Sequence, residues 1–141
     1  MRTSATFLCA VLVALSFSSC QLLKGRYERN ANARIAYLAD KKTSPAKTNI
    51  EGLWYSPEWG IVLFNQEPGG KVEGIFQDYY RVDGVVSGKN IYLALIDDEW
   101  TEYTVQLHRD SAETITGYWS AHIPFSEEDQ QPLTLKRIDK Y

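Results

Sequence analysis

The stretch VEGIFQDYYRVDGVV, residues 72–86, decides the fold. Val72, Gly74, Phe76, Val82, Gly84 and Val86 fall on every second position, with Glu73, Arg81 and Asp83 at intervening places. Period two is the spacing of a β-strand, whose successive side chains point to opposite faces. Parity runs unbroken through Asp78 and Tyr80, so the stretch reads as two strands joined by a turn or as one long bent strand. Its half-unit, a β-branched residue, any residue, Gly, any residue and a bulky apolar residue, recurs. It stands as IEGLW (residues 50–54), VEGIF (72–76), VDGVV (82–86) and ITGYW (115–119), with starts 22, 10 and 33 residues apart. The unequal intervals exclude a solenoid of fixed period. Glycine weakens a strand interior, so four at the same place require a packing reason. A sharply coiled sheet supplies one, with Trp54, Phe76 and Trp119 pointing inward over the gaps; a flat sheet packed on a helix is the alternative.

Working outward, turn residues interrupt the pattern about every ten residues, the signature of an antiparallel meander. Strands are predicted at 50–56, 59–66, 71–77, 81–87, 90–96, 102–109, 114–123 and 132–138. Eight short antiparallel strands with short connections predict an all-β fold, an up-and-down barrel that removes exposed edges by closure. The barrel domain is expected over 49–141.

The 141-residue chain carries a net charge of −3, distributed unevenly. Residues 20–48 hold seven basic and two acidic side chains, and residues 49–141 hold seven basic and sixteen acidic. The barrel is therefore acidic, which argues against a nucleic-acid partner. In the basic segment Tyr27, Ala31, Ile35 and Leu38 form a thin helical stripe, and KKTSPAKTN (41–49) reads as a polar linker.

Upstream lies FLCAVLVALSF (7–17), too short for a bilayer span of about 20 residues and of the length of a signal-peptide core. Ser18, Ser19 and Cys20 follow it. ALSFSSCQLL (14–23) resembles the lipobox of bacterial lipoproteins, although Phe17 stands where that family usually has Leu. The resemblance implies a lipoprotein signal peptide over 1–19, acylation of Cys20, and a basic tether over 20–48, helical or flexible. Cys9 is the only other cysteine and lies within the signal, so the mature chain would hold no disulfide. Two or three acyl chains anchor stably where one holds marginally, and the basic tether suits anionic headgroups. The expected location is the bacterial cell envelope, and Gln21 is compatible with the outer membrane if the cell is Gram-negative. An ordinary secretory signal is the alternative.

IEGLWYS (50–56) resembles the Gly-x-Trp opening of lipocalins and avidins, which implies that Trp54 closes one end of a ligand-binding barrel with Gly52 beside it. The wider layout from Gly52 to Trp119 is similar to bacterial exported and lipoprotein domains with repeated Gly-x-Trp/Tyr strands, which implies architecture and location more than activity.

With eight strands, one rim collects Glu58, Asp78, Asp97, Asp98, Glu99, Glu127, Glu128 and Asp129 together with Tyr79, Trp100 and Phe125. The opposite rim has tight turns and receives the tether, so the acidic aromatic rim is expected to face away from the membrane. Trp54, Asp97, Asp98, Glu99, Trp100, Glu127, Glu128 and Asp129 are the candidate binding residues, for an envelope protein or a glycan stacked on Trp100. Acidic loops that merely maintain solubility are the simpler reading. DDE and EED lack the spacing of a calcium loop, and no metal or cofactor is expected. His108 and His122 are predicted outward and roughly 23 Å apart, at 3.3 Å per residue. Ser120 lies near His122, but no acidic orienter is evident from the sequence, and no HExxH, CxxC or phosphate loop appears. The expectation is a non-catalytic binding or structural barrel. The alternatives are a lipocalin-like carrier of a small apolar ligand and an envelope hydrolase.

Overall fold

A computed structural model describes residues 4–139, with side chains from residue 19 onward. One helix, α1 (Ser4–Lys41), precedes eight strands: β1 (Gly52–Ser56), β2 (Gly60–Gln66), β3 (Lys71–Phe76), β4 (Tyr80–Ser87), β5 (Asn90–Asp97), β6 (Trp100–Arg109), β7 (Thr114–Ser120) and β8 (Gln131–Arg137). Each strand pairs antiparallel with its neighbour in sequence, and β8 returns to β1 to form a closed barrel. The closing seam is short, Trp54 opposite Arg137 and Tyr55 opposite Lys136. It is extended by the Ile138 amide donating to the Leu53 carbonyl at 3.0 Å.

The stretch 72–86 is two strands. Gln77 and Asp78 adopt φ of 60° and 53°, which turns the chain so that Phe76 faces Tyr80. Val62, Phe64, Val72, Phe76, Val82, Val86, Ile91, Leu93, Leu95, Val105, Ile115 and Leu135 are buried within the barrel. A small eight-stranded barrel is just wide enough for such side chains to fill it. Trp59, in the β1–β2 turn, stoppers one end, edge-on to Phe76, Tyr80, Tyr103 and Trp119 at centroid separations of 5.3–6.0 Å. Burial there pushes the Tyr80 phenol up to about 12. Trp54 stoppers the other end.

The recurrent glycines have a more specific cause than aromatic cover. A Cβ at Gly74 would fall on the Leu63 carbonyl oxygen, and one at Gly117 on the Gln106 carbonyl oxygen. The obstacle is the backbone of the neighbouring strand, drawn close by coiling, rather than an aromatic ring. Gly52 differs: its φ of +132° is the requirement, because L-residues rarely adopt that region.

α1 is continuous, in place of a signal helix followed by a separate short helix or flexible tether. Side chains of the Phe7–Phe17 stretch, Cys9 among them, lie outside the described residues. From Tyr27 onward the helix lies along the outside of β4, β5 and β6. Its buried residues are Asn30, Arg34, Tyr37 and Leu38, whereas Ile35, part of the expected apolar stripe, is 60% exposed. Asn30 is bonded twice to the Thr101 backbone, Nδ2 donating to the carbonyl at 3.2 Å and Oδ1 accepting from the amide at 2.7 Å. Arg34 donates to Thr101 Oγ1 at 3.0 Å and pairs with Asp83 at 3.6 Å. A bulge between Leu95 and Ile96 in the β5–β6 register brings Thr101 opposite Ile96. Bulges redirect side chains in this way. Burial pushes the Tyr37 phenol up, which keeps it neutral under the helix.

The expected linker is pinned to the barrel. Lys42 Nζ donates to the Gly69 and Val86 carbonyls, Ser87 Oγ accepts from the amides of Thr43 and Ser44, and Ala46 bridges to Gly88. Gln66 then accepts from the Ile50 amide and donates to the Thr48 carbonyl.

Candidate functional site

The turns after β1, β3, β5 and β7 share one end of the barrel, as the strand count required. α1 arrives at the opposite end, by the Gly69–Gly70 and Gly88 turns, and runs back along the wall. Tyr27 reaches Trp100, ring centroids 5.4 Å apart and edge-on. At 1.5 Å per residue, Cys20 stands about 10 Å farther along the axis than Tyr27. The rim was expected to lie opposite the tether and face away from a membrane; in the structure it lies on the Cys20 side. The tether does enter at the tight-turn end, but the helix returns along the barrel. Cys20 itself is exposed and free.

The β5–β6 connection is a two-residue turn in which Asp98 and Glu99 take φ of 47° and 64° between paired Asp97 and Trp100. Asp97 accepts from the Tyr79 hydroxyl at 2.8 Å, and Glu99 lies 3.7 Å from Arg81. Asp97 raises the Tyr79 phenol pKa through that hydrogen bond and its charge. These residues form one acidic patch with Trp100 at its edge.

Glu127 does not join them. It lines a separate surface cavity with Asn90, Tyr92, His108 and Phe125, on the outer faces of β5–β7. Tyr92 is five residues down β5 from Asp97, about 17 Å along the strand at 3.3 Å per residue. The rim expected to gather both acidic loops is therefore divided. Glu128 is exposed in the same β7–β8 connection, and Asp129 is occupied in holding that connection together.

Asp129 joins two side chains that the sequence left unconnected. Its Oδ1 accepts from Ser120 Oγ and its Oδ2 meets His122 Nδ1, each at 2.6 Å. The Ser120 bond, then His122 and the Ala121 amide, hold the Asp129 carboxyl below its ordinary value. Ser120 Oγ also accepts from the His122 and Ser126 amides, both at 3.2 Å. The order of contacts is Ser–Asp–His, with the serine proton directed to the carboxylate. A nucleophile needs its proton directed to the imidazole, so the cluster fastens a loop. His108, paired opposite Thr116 on the barrel wall, is remote from it.

Trp54 is wholly buried, its indole N–H donating to the Ile50 carbonyl at 2.8 Å. The Arg137 guanidinium lies 4.6 Å from the ring centroid and that of Arg109 5.9 Å. Arg109 in turn donates to the carbonyls of Asn49, Ser111 and Ala112. Burial and the two guanidinium groups leave the Trp54 ring no face for a ligand.

One further feature was absent from the sequence reading. α1, Trp100 and the Ala121–Ile123 segment enclose a surface cleft of about 430 Å³ lined by Arg26, Arg29, Asn30, Trp100, Glu102 and His122, among others. Among the described residues, no group of His, Cys, Asp and Glu is arranged to hold a metal ion, and no helix is long and apolar enough to cross a membrane. Comparison with protein families, curated proteins and solved structures finds no match to this chain.

Proposed function

We propose that the chain is a lipid-anchored protein of the bacterial cell envelope whose barrel is a rigid, non-catalytic binding or structural domain. The observation that carries the reading is the position of Cys20. It closes the lipobox-like stretch, its thiol is exposed, and its helix is fixed to the barrel ten residues later by Asn30. An anchor there holds the barrel at a set height and orientation. The acidic patch Asp97–Glu99 with Trp100 would then address partners close to the membrane, an envelope protein or a glycan.

The filled interior supports a role exercised on the outside. Stoppers at both ends and wholly buried Phe64, Phe76, Leu93 and Leu95 between them weigh against the apolar-ligand carrier, since drug-sized ligands occupy about 300–1,000 Å³. The Ser120–Asp129–His122 order weighs against the hydrolase. Intact mass of the chain from native membranes, beside Cys20→Ser, tests the anchor. A chain beginning at residue 20 with added acyl mass, absent from the variant, is expected. An unacylated wild-type chain refutes it.

A further inference from the structure

We propose that the cleft between α1 and the rim binds a single phosphate-type anion. Arg26 and Arg29 both line it, and neither has a carboxylate partner among the described residues. Arg34, Arg81 and Lys71, by contrast, lie against Asp83, Glu99 and Glu73. Two arginines without a carboxylate partner on one concave site are the feature to explain.

The walls orient them. The Arg26 guanidinium lies 6.0 Å from the Trp100 ring centroid, and Tyr27 meets that ring edge-on. Stacking on an aromatic face leaves the guanidinium edge, which carries the N–H donors, free to face a ligand. Asn30 cannot compete for the ligand, since its amide is committed to Thr101. His122 is fixed through Nδ1 on Asp129, so its orientation at the cleft wall is set from behind. An Arg fork matches the oxygens of phosphate in bidentate fashion, which makes this group the best chemical fit.

Glu102 limits the ligand. Its carboxylate on the same cleft offsets one of the two guanidinium charges, so the site suits one compact anion and disfavours a polyanion. Such a group has two sources, a soluble phosphate or the headgroup of an anionic lipid, and the cleft lies on the Cys20 side of the barrel. The inference rests on the cleft alone and does not depend on acylation.

The test follows the Trp100 indole N–H by ¹H–¹⁵N NMR on the full chain in neutral micelles, titrated with inorganic phosphate. A parallel arm compares the chain on nanodiscs of phosphatidylglycerol and of phosphatidylcholine. A saturable Trp100 shift with phosphate, or with phosphatidylglycerol but not phosphatidylcholine, supports the site, and the arm that responds identifies the source. Arg26→Gln and Arg29→Gln should each weaken binding about tenfold or more, the loss of a charge-assisted hydrogen bond. Glu102→Gln should tighten it, an opposite sign that unfolding cannot imitate. No Trp100 shift in either arm overturns the proposal. So does a shift that survives both arginine substitutions.

Discussion

Asn30→Ala should loosen α1 over Thr101 while leaving the barrel folded. The substitution removes two hydrogen bonds to the Thr101 backbone, of 2.7 and 3.2 Å, and strands a buried amide and carbonyl. Each net hydrogen bond contributes about 0.5–1.5 kcal/mol, and an unsatisfied buried group costs about 1–3 kcal/mol. A loss of about 2–3 kcal/mol in docking is therefore expected. Tyr37 and Leu38, buried on the same face, and Arg34, bonded to Thr101 and paired with Asp83, still hold the helix farther along, so the loss falls on the turn of α1 that covers Thr101. The barrel core, from Ile50 to Leu135, draws nothing from the helix. Amide exchange reads the result: Thr101, whose amide donates to Asn30, should lose protection, while Leu93 and Val105 keep theirs. Ile35→Ala is the control. Ile35 belongs to the apolar stripe visible in the sequence yet is 60% exposed, so its truncation should leave Thr101 protection unchanged. If Ile35→Ala loosens the helix and Asn30→Ala does not, the docking face is wrong.

Replacing Asp98-Glu99 by Asn-Gly should stabilise the barrel by about 1–2 kcal/mol, because both residues stand at positive φ and the left-handed region costs L-residues about that much; an unchanged or lowered midpoint in chemical denaturation would count against the turn geometry. Asp129 makes the β7–β8 connection acid-sensitive. Its folded carboxyl titrates below the ordinary value, so the fastening is complete at neutral pH and is lost only as pH falls through that lowered value. Amide exchange at Ala121 and Ser126 should accelerate there, and Asp129→Asn should remove the transition. Reversing Asp97, Asp98 and Glu99 to Lys should abolish capture of an envelope partner with the fold intact by circular dichroism; capture that persists excludes this patch as the binding surface.

The barrel was legible because period-two patterning and turn residues are local signals. Every expected strand is present, and the turn at Gln77–Tyr79 resolves the one ambiguity of the 72–86 stretch. What stayed hidden depends on contacts distant in sequence. The docking face of α1 mixes Asn30 and Arg34 with Tyr37 and Leu38, so the apolar stripe included buried Leu38 but also exposed Ile35, and missed Asn30 and Arg34. The position of the rim relative to Cys20 was hidden for another reason, since the sequence does not show that the helix runs back along the barrel from the tight-turn end. Ser120, His122 and Asp129 carry no recognisable spacing, and only folding of the β7–β8 connection brings them together. The same folding takes Glu127 away from Asp97. The glycines were legible as packing requirements, but the backbone that crowds Gly74 and Gly117 belongs to partner strands set by register.

A nitroxide on Cys20 of the unacylated chain, in a Cys9→Ser background, tests the arrangement most directly. By helix rise, Cys20 stands about 10 Å along the axis from Tyr27, which touches Trp100, and about 33 Å from Lys42 beside the opposite turns. Paramagnetic broadening should be strong at Asp98, Glu99 and Trp100 and weak at Gly69 and Gly88. Strong broadening at Gly69 and Gly88, with the Asp98–Trp100 turn unaffected, would contradict the account, since the acidic rim would then lie away from Cys20.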